Sequence, residues 1–537
     1  MPNTMNYKEY YLQKAEENTP PLFYEMVKTT KAVEIVEDEQ AFFGCSAVDR
    51  GELGLVFKTG DKFVVDFGRH CVGRVSFSVW DDGRYIDAPV RLKLRFAEVP
   101  YELYRDHASY HGGLCASWLM EDIINIDLIG KVDLPRRYSF RYLEVTVVST
   151  PRPTRLFDFE VKCETSADVS KLTPLPEGTD PELVSIDRIA AVTLRDCMQS
   201  AYEDGPKRDR RLWSGDLRLQ ALTDQVLFQN DMLARRCLYL FAACRRDGKY
   251  LPGCLYQYPQ FSFDNGMEIP DYSMLYCTSV ADYYAKTGDM QTLADLFPVV
   301  KNEIGIAIDT LDENGIATLP EGGWPGFIDW APGLEHVTAV HGAYLYGLEH
   351  VIPLARAMNE EALAAKWERA LCEGRRAAKV HLFDEECGAF INRYEKGTRA
   401  VEGAWTPQAT KASTNGKGQF SVQSQVWMVL GGVLDGDDGA MAIQKALADP
   451  DSIKPVTPYM HHYLVEAWVR LGRMDEALAH IKSYWGAMVK YGADTFWEVF
   501  VDGKPETSAY NDPLMHSFCH AWSCSPSYFI RKFFVKQ

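Results

Sequence analysis

The sequence predicts a multidomain β-plus-α protein: an N-terminal antiparallel β-sandwich followed by an (α/α)6 helical barrel. Three observations predict it. The chain has 537 residues, more than one ordinary core organises. Its first third alternates apolar and polar residues with period two, as strands with one buried face do. From Pro181 onward the apolar residues recur with helical spacing instead.

The strands come first. Asp61 to Phe67 alternates imperfectly, Gly68 and Gly73 punctuate, and Val75 to Trp80 alternates cleanly up to a turn signal at Asp81-Asp82-Gly83. Val90 to Phe96 and Tyr138 to Val148 follow the same rule. Residues 1–165 are therefore assigned to a β-sandwich accessory domain. Pro151, Pro153, Pro174, Pro176 and Pro181 then crowd together, and 166–180 reads as a linker.

Residues 181–537 are assigned to the barrel. Helical stretches are expected near 187–199, 217–228, 231–246, 272–287, 289–310, 339–358, 360–382, 420–434, 438–448, 458–472, 474–490 and 515–534. Short loops between them favour antiparallel neighbours, and about twelve helices close into six hairpins around an axis. No exact repeat marks the closure, so an open α-solenoid stays in play.

Composition excludes several classes. A formal net charge of −18, without a basic run, argues against a nucleic-acid partner. No apolar run reaches the roughly 18 residues of a membrane span. The start has no basic end followed by an apolar stretch, as a signal peptide would. The 13 cysteines are scattered and lack any C-x-x-C pair, so no disulfides and a cytoplasmic location are expected. A homodimer is left open.

Five segments carry candidate chemistry. Asp204 to Asp216 places three carboxylates and Trp213 among four basic residues, between two helices. It reads either as a self-paired solvated loop or as a rigid site loop opening a helix that Ser214 or Asp216 caps. Gly492 to Glu498 ends in a carboxylate directly after Phe496-Trp497. Gly322 to Trp330 flanks Asp329 with Trp324 and Trp330, either to grip a sugar ring or as a packed loop. Asp271 reads as a helix N-cap. His516 and His520 stand four apart on an expected helix, but with no zincin glutamate and no third ligand no metal is assigned.

The Asp204–Asp216 segment resembles the catalytic loop of family 78 glycoside hydrolases, the α-L-rhamnosidases, whose loop looks like D-C-P-x-R-E-R-L-G-x-x-G-D. Asp204, Pro206, Arg208, Leu212, Gly215 and Asp216 match in kind. Gly492 to Glu498 resembles the family's G-A-T-T-x-W-E, Ser517 to His520 its S-L-N-H, and Asp329-Trp330 its D-W. Val65 to Arg69 and Phe140 to Val145 resemble its accessory β-domain. Three departures stand out: Asp209 holds the position of the family's usual acid Glu, Gly205 replaces its Cys, a change expected to be neutral, and the chain stops without the further β-domain many members carry.

The resemblance implies inverting removal of a terminal α-L-rhamnosyl residue from a small glycoside or oligosaccharide, without metal or organic cofactor. Asp209 would be the general acid and Glu498 the base, roughly 6.5–9.5 Å apart. Asp204, Arg208 and Asp216 would hold hydroxyls, as would His520. Asp329 belongs with Trp330 to the same expected site. Trp213, Trp330 and Trp497 would wall the pocket. Because Asp209 must keep a proton, Arg210 and Arg211 are expected to turn away from it, leaving Asp204 or Asp216 nearer than any guanidinium but that of Arg208. Two alternatives stay open: another exo-glycosidase on the same barrel, or a carbohydrate-binding protein without activity.

Overall fold

The structure, a computed structural model, describes residues 6–81, 88–127, 129–257, 260–264, 266–319, 324, 326–394 and 420–535. Asp82, Gly83, Gly322, Gly323 and Pro325 of the segments above lie outside the described residues.

The β-domain contains β1 (Phe23–Lys28), β2 (Lys31–Glu37), β3 (Cys45–Glu52), β4 (Val56–Phe57), β5 (Lys62–Trp80), β6 (Val90–Ala97), β7 (Glu121–Ile126), β8 (Gly130–Asp133), β9 (Tyr138–Ser149) and β10 (Thr154–Thr165). Every pairing among them is antiparallel, and the main order is β1-β10-β5-β9-β6-β7. The strands join in one hydrogen-bonded network because β5 runs for 19 residues where the sequence suggested two strands. A bulge between Asp66 and Cys71, with Gly68 at φ 74°, bends β5 instead of ending it. Gly73 marks a close approach: a Cβ there would stand 2.2 Å from the Lys162 carbonyl oxygen of β10. Val65, Phe67, Val75 and Phe77 of β5 pack with Leu92 and Leu94 of β6 and Phe140 and Leu143 of β9 in the domain core.

One helix was not legible. α1 (Tyr7–Glu17) precedes the strands and packs on the helical domain, where Tyr11 is fully buried and donates to the Asp295 carbonyl. A one-turn helix in the β-domain, α2 (Tyr101–Tyr104), faces the site described below.

The barrel helices are α3 (Pro181–Cys197), α4 (Ser214–Leu227), α5 (Asp231–Ala242), α6 (Pro270–Thr287), α7 (Met290–Asp309), α8 (Val337–Ala357), α9 (Glu361–His381), α10 (Val422–Leu430), α11 (Gly436–Ala448), α12 (Pro458–Arg470) and α13 (Met474–Lys490). Around the axis α4 packs on α6, α6 on α8, α8 on α10 and α10 on α12. The segment Ala521–Cys524 closes the inner ring between α12 and α4. Outside, α13 packs back on α3. The fold is thus a closed ring, not an open solenoid. The inner members are nearly buried all round: α10 has all nine residues buried, whereas α9 on the outside buries a single stripe. The expected helix 515–534 is broken into short turns with Pro526 opening one of them, and His516 to His520 is not helical.

Candidate active site

The inner helices begin at one end of the barrel, and the candidate loops collect there. The loop between α3 and α4 is held by its own backbone: Asp204 N–H donates to the Arg211 carbonyl at 3.0 Å, and Arg210 N–H to the Gly205 carbonyl at 3.2 Å. The Asp204 carboxylate accepts from the amides of Asp209 (3.3 Å) and Arg211 (3.1 Å). A Cβ at Gly205 would stand 2.4 Å from the Arg208 carbonyl oxygen, so a side chain there needs the loop to move. Neither Ser214 nor Asp216 caps α4. The N-cap is Trp213, the Ser214 hydroxyl donates to the Gly253 carbonyl, and Asp216 sits in the first turn.

Two distant segments complete the end of the barrel. Residues 495–498 and 517–520 lie side by side: Glu498 N–H donates to the Ser517 carbonyl, His520 N–H to that of Phe496, and the Thr495 hydroxyl to that of Phe518. The Ser517 hydroxyl donates to the Arg208 carbonyl at 2.9 Å, and Ala521 N–H to the Asp204 carbonyl at 2.7 Å. These cross-ties bring Asp204, Arg208, Asp209, Asp216, Glu498 and His520 to one pocket.

Its walls are aromatic: Trp213, Tyr272, Trp324, Phe327, Trp330, Tyr510 and Trp522. Tyr510 stands in no segment singled out from the sequence. A lone tyrosine in a loop carries no pattern, and only the neighbouring Asn511-Asp512-Pro513 turn signal marks the place. Two expected residues lie elsewhere. Trp497 points into the core against Phe42, Phe43, Phe500 and Phe518. The Asp329 carboxylate is occupied by the Thr457 hydroxyl (2.7 Å), the amides of Val456 and Thr457, and Gln423 Nε2 (2.8 Å). It anchors the Trp330 loop to the start of α12 rather than facing the pocket. Asp271 caps no helix; it accepts from the amides of Phe327 and Ile328 and anchors the same loop from α6.

The β-domain reaches into this end. Glu102 of α2 accepts from Lys207 Nζ at 2.6 Å, and Glu98 accepts from Phe518 N–H at 2.7 Å, all of these residues being buried. Lys207 also donates to the His516 carbonyl. Arg141 of β9 joins Asp66 (2.9 Å) to Asp494 (2.6 Å), beside the Glu498 segment.

Electrostatics divide the carboxyls. Glu498 Oε2 receives Arg208 Nη2 at 2.5 Å and Ser517 N–H at 3.1 Å, and Oε1 receives the Tyr510 hydroxyl at 2.6 Å. Burial alone would raise its pKa, but Arg208, His520 and His516 outweigh burial and hold it at about 2. Asp204 goes the other way: burial, then the charge of Asp209, push it up to about 7. Burial also raises Asp216, against the pull of His520. His520 itself is raised despite burial, mainly by Glu498 and Asp216, whose Oδ1 lies 3.7 Å away.

Arg210 turns away as expected, donating to the carbonyls of Pro206 and Arg137 at 2.8 Å. Arg211 does not. Its Nη1 lies 3.4 Å from Asp209 Oδ2, and its guanidinium rests 4.4 Å over the Tyr256 ring. Asp209 thus lies between two guanidiniums, with Arg208 Nη1 3.3 Å from its other oxygen. The reason is local: Arg210 takes a positive φ of 64°, which sends the next side chain back over the loop.

Among the described residues, one group has metal-ligand geometry: His70, Asp196 and Cys519, all buried. Here His70 is hydrogen-bonded to Asp196 (2.7 Å) on one nitrogen and to Glu98 (3.2 Å) and Ser139 (3.1 Å) on the other. The ring is fully used in joining the β-domain to α3, which suits an interdomain clamp.

A pocket of carboxyls and aromatic faces, at one end of a closed ring of helices, defines a glycoside hydrolase. The comparisons agree. Residues 29–165 match the N-terminal domain of glycosyl hydrolase family 78 α-rhamnosidases, and residues 177–449 the six-hairpin glycosidase domain of bacterial α-L-rhamnosidases. The chain belongs to the bacterial α-L-rhamnosidases of that family. A solved rhamnosidase from Klebsiella oxytoca with rhamnose bound is 35% identical, with a TM-score of 0.89 over 98% of each chain. A family 78 rhamnosidase of a Bacillus species is 23% identical (TM-score 0.72, covering 92% of this chain and 50% of that one) and shares the fold. So does a Streptomyces avermitilis α-L-rhamnosidase complexed with L-rhamnose, at 17% identity and a TM-score of 0.65, covering 95% of this chain and 44% of that one. No curated protein matches the chain.

Proposed function

We propose that the protein removes a terminal α-L-rhamnosyl residue from a small glycoside by inverting hydrolysis. The observation that carries this reading is the set of buried pocket atoms without a hydrogen bond among the described residues: Asp216 Oδ1, both ring nitrogens of His520, and the indole N–H groups of Trp213 and Trp330. Buried polar groups need partners, and the hydroxyls of a bound sugar supply them. The neighbouring aromatic faces suit the C6 methyl and apolar face of a deoxy sugar. The rhamnose bound in the Klebsiella structure supports the choice of sugar.

In this reading Glu498 is the base that activates water. Its carboxylate stays ionised at any working pH because Arg208 and Tyr510 bind it. Asp209 is the acid, since it lines the pocket at its more open end, with a side chain 15% exposed against 2% for Glu498. Arg208 stands between the two carboxylates and holds them apart, and the wider carboxyl separation of an inverting pair is consistent with that. One observation favours a second reading of the acid: Asp204, at about 7, holds a proton half the time near neutrality and touches the Asp209 amide. Asp329 and Trp497 support the site from behind; they do not touch substrate.

The substrate is taken to be a small cytoplasmic glycoside. No helix of the described residues is long and apolar enough to cross a membrane. Proton NMR of the first-formed sugar tests the mechanism: hydrolysis of an aryl α-L-rhamnoside should release the β-anomer before mutarotation, and initial release of the α-anomer would overturn inversion.

A further inference from the structure

The loop Asp204–Asp216 holds four basic residues, and three of them are committed. Lys207 is buried on Glu102, Arg208 is buried on Glu498, and Arg210 is turned to backbone carbonyls. Arg211 is different. Its side chain is 23% exposed, it stacks on Tyr256, and among the described residues its one carboxylate contact is the 3.4 Å approach to Asp209. Tyr256 itself is half-buried and follows the two-residue strand Cys254–Leu255, which pairs with Leu212–Trp213. Arg211 and Tyr256 therefore flank the same short ribbon, next to Asp209 of the pocket lining.

A general acid must be uncharged when it acts. At that moment Asp209 gives Arg211 no counter-charge, and the guanidinium is left on its aromatic platform beside the leaving oxygen. The leaving group has to lie on this side, because the acid donates its proton to the oxygen that leaves. We propose that Arg211 and Tyr256 form the leaving-group subsite, and that the subsite selects aglycones bearing a carboxylate. The anion takes the place of Asp209 on the planar donor fork of Arg211, while Tyr256 holds the fork flat. This rests on the reading of Asp209 as acid and the protein as a rhamnosidase. Among the described residues the other groups facing Arg211 do not compete: Cys254 is a thiol, and Asp204 is engaged by two backbone amides.

The test uses the full chain and two rhamnosides of matched leaving-group acidity, 4-(carboxymethyl)phenyl and 4-(carbamoylmethyl)phenyl α-L-rhamnoside. The wild-type ratio of kcat/KM should favour the carboxylate on the order of fivefold, with the preference shrinking as salt is raised. R211Q should bring the ratio to about one, and R211K should keep part of it. Equal rates in the wild type, or a preference that survives in R211Q, would overturn the proposal. Turnover of 4-nitrophenyl α-L-rhamnoside is measured alongside. Its absence would sink the rhamnosidase reading itself, and this proposal with it, whereas its presence with a flat ratio condemns the subsite alone.

Discussion

Arg208 bridges the two carboxylates of the proposed chemistry: Nη1 stands 3.3 Å from Asp209 and Nη2 2.5 Å from Glu498. The guanidinium is buried, so its charge is neutralised mainly by Glu498. Removing that partner leaves an uncompensated buried cation. Glu498→Gln should lower stability by about 3 kcal/mol at neutral pH. The sign of the pH effect follows from the depressed value. Ionised Glu498 stabilises the fold above the ordinary glutamate pKa, and that contribution is lost as pH falls towards about 2. Denaturant titrations of wild type and variant should therefore converge between about pH 4 and 2. A gap that stays constant over that window would contradict the assignment.

Asp204 predicts the opposite slope. Its folded-state pKa is raised to about 7, so the folded form prefers the neutral acid. Below the ordinary aspartate value both states are protonated and nothing is lost. As pH rises from about 4 to 7 the unfolded chain ionises first, and stability declines. Asp204→Asn removes that decline. Thermal melts should show the variant gaining on the wild type from pH 4 to pH 8. A variant that loses ground over the same range would show that Asp204 is ionised in the folded protein.

Tyr510 donates to Glu498 at 2.6 Å and accepts from Arg208 at 3.2 Å, so it fixes where the proposed base points. Tyr510→Phe keeps the ring against Trp330 and removes only the hydroxyl. kcat on an aryl rhamnoside should fall about tenfold with a smaller change in KM. An unchanged kcat would reduce Tyr510 to a wall of the pocket.

The β-domain is part of the pocket end of the barrel, because Glu102 neutralises Lys207 inside the loop. Glu102→Ala leaves Lys207 with Glu98 at 3.7 Å as its nearest carboxylate. Stability should drop by about 3 kcal/mol, and activity with it. Full activity and an unchanged melting temperature would make the domain a passive appendage.

Much of this was legible, for physical reasons that differ from place to place. α13 was readable to its ends because one face is apolar at helical spacing. α1 was not, because only Tyr11 and Ala15 of its eleven residues are buried. His516 to His520 looked helical in isolation, but its backbone pairs with residues 496–498, a long-range contact that no local period encodes. Of the ten expected site residues, the pocket gathers Asp204, Arg208, Asp209, Trp213, Asp216, Trp330, Glu498 and His520. Asp329 and Trp497 were misplaced because adjacency in a motif does not say which way a side chain points. Asp329 faces the start of α12 while Trp330, its neighbour, faces the pocket. The orientation of Arg211 was hidden by the positive φ of Arg210, which no residue type announces at an arginine.

The division of labour between Asp209 and Glu498 is tested most directly by comparing Asp209→Asn with the wild type on two rhamnosides, one with a nitrophenyl and one with an alkyl leaving group. A good leaving group hardly needs a proton, whereas an alkoxide does. The account predicts that Asp209→Asn retains much of the rate on the nitrophenyl rhamnoside and loses 10²-fold or more, roughly, on the alkyl rhamnoside. Hydrolysis of the alkyl rhamnoside at the wild-type rate would contradict it and pass the role of acid to Asp204.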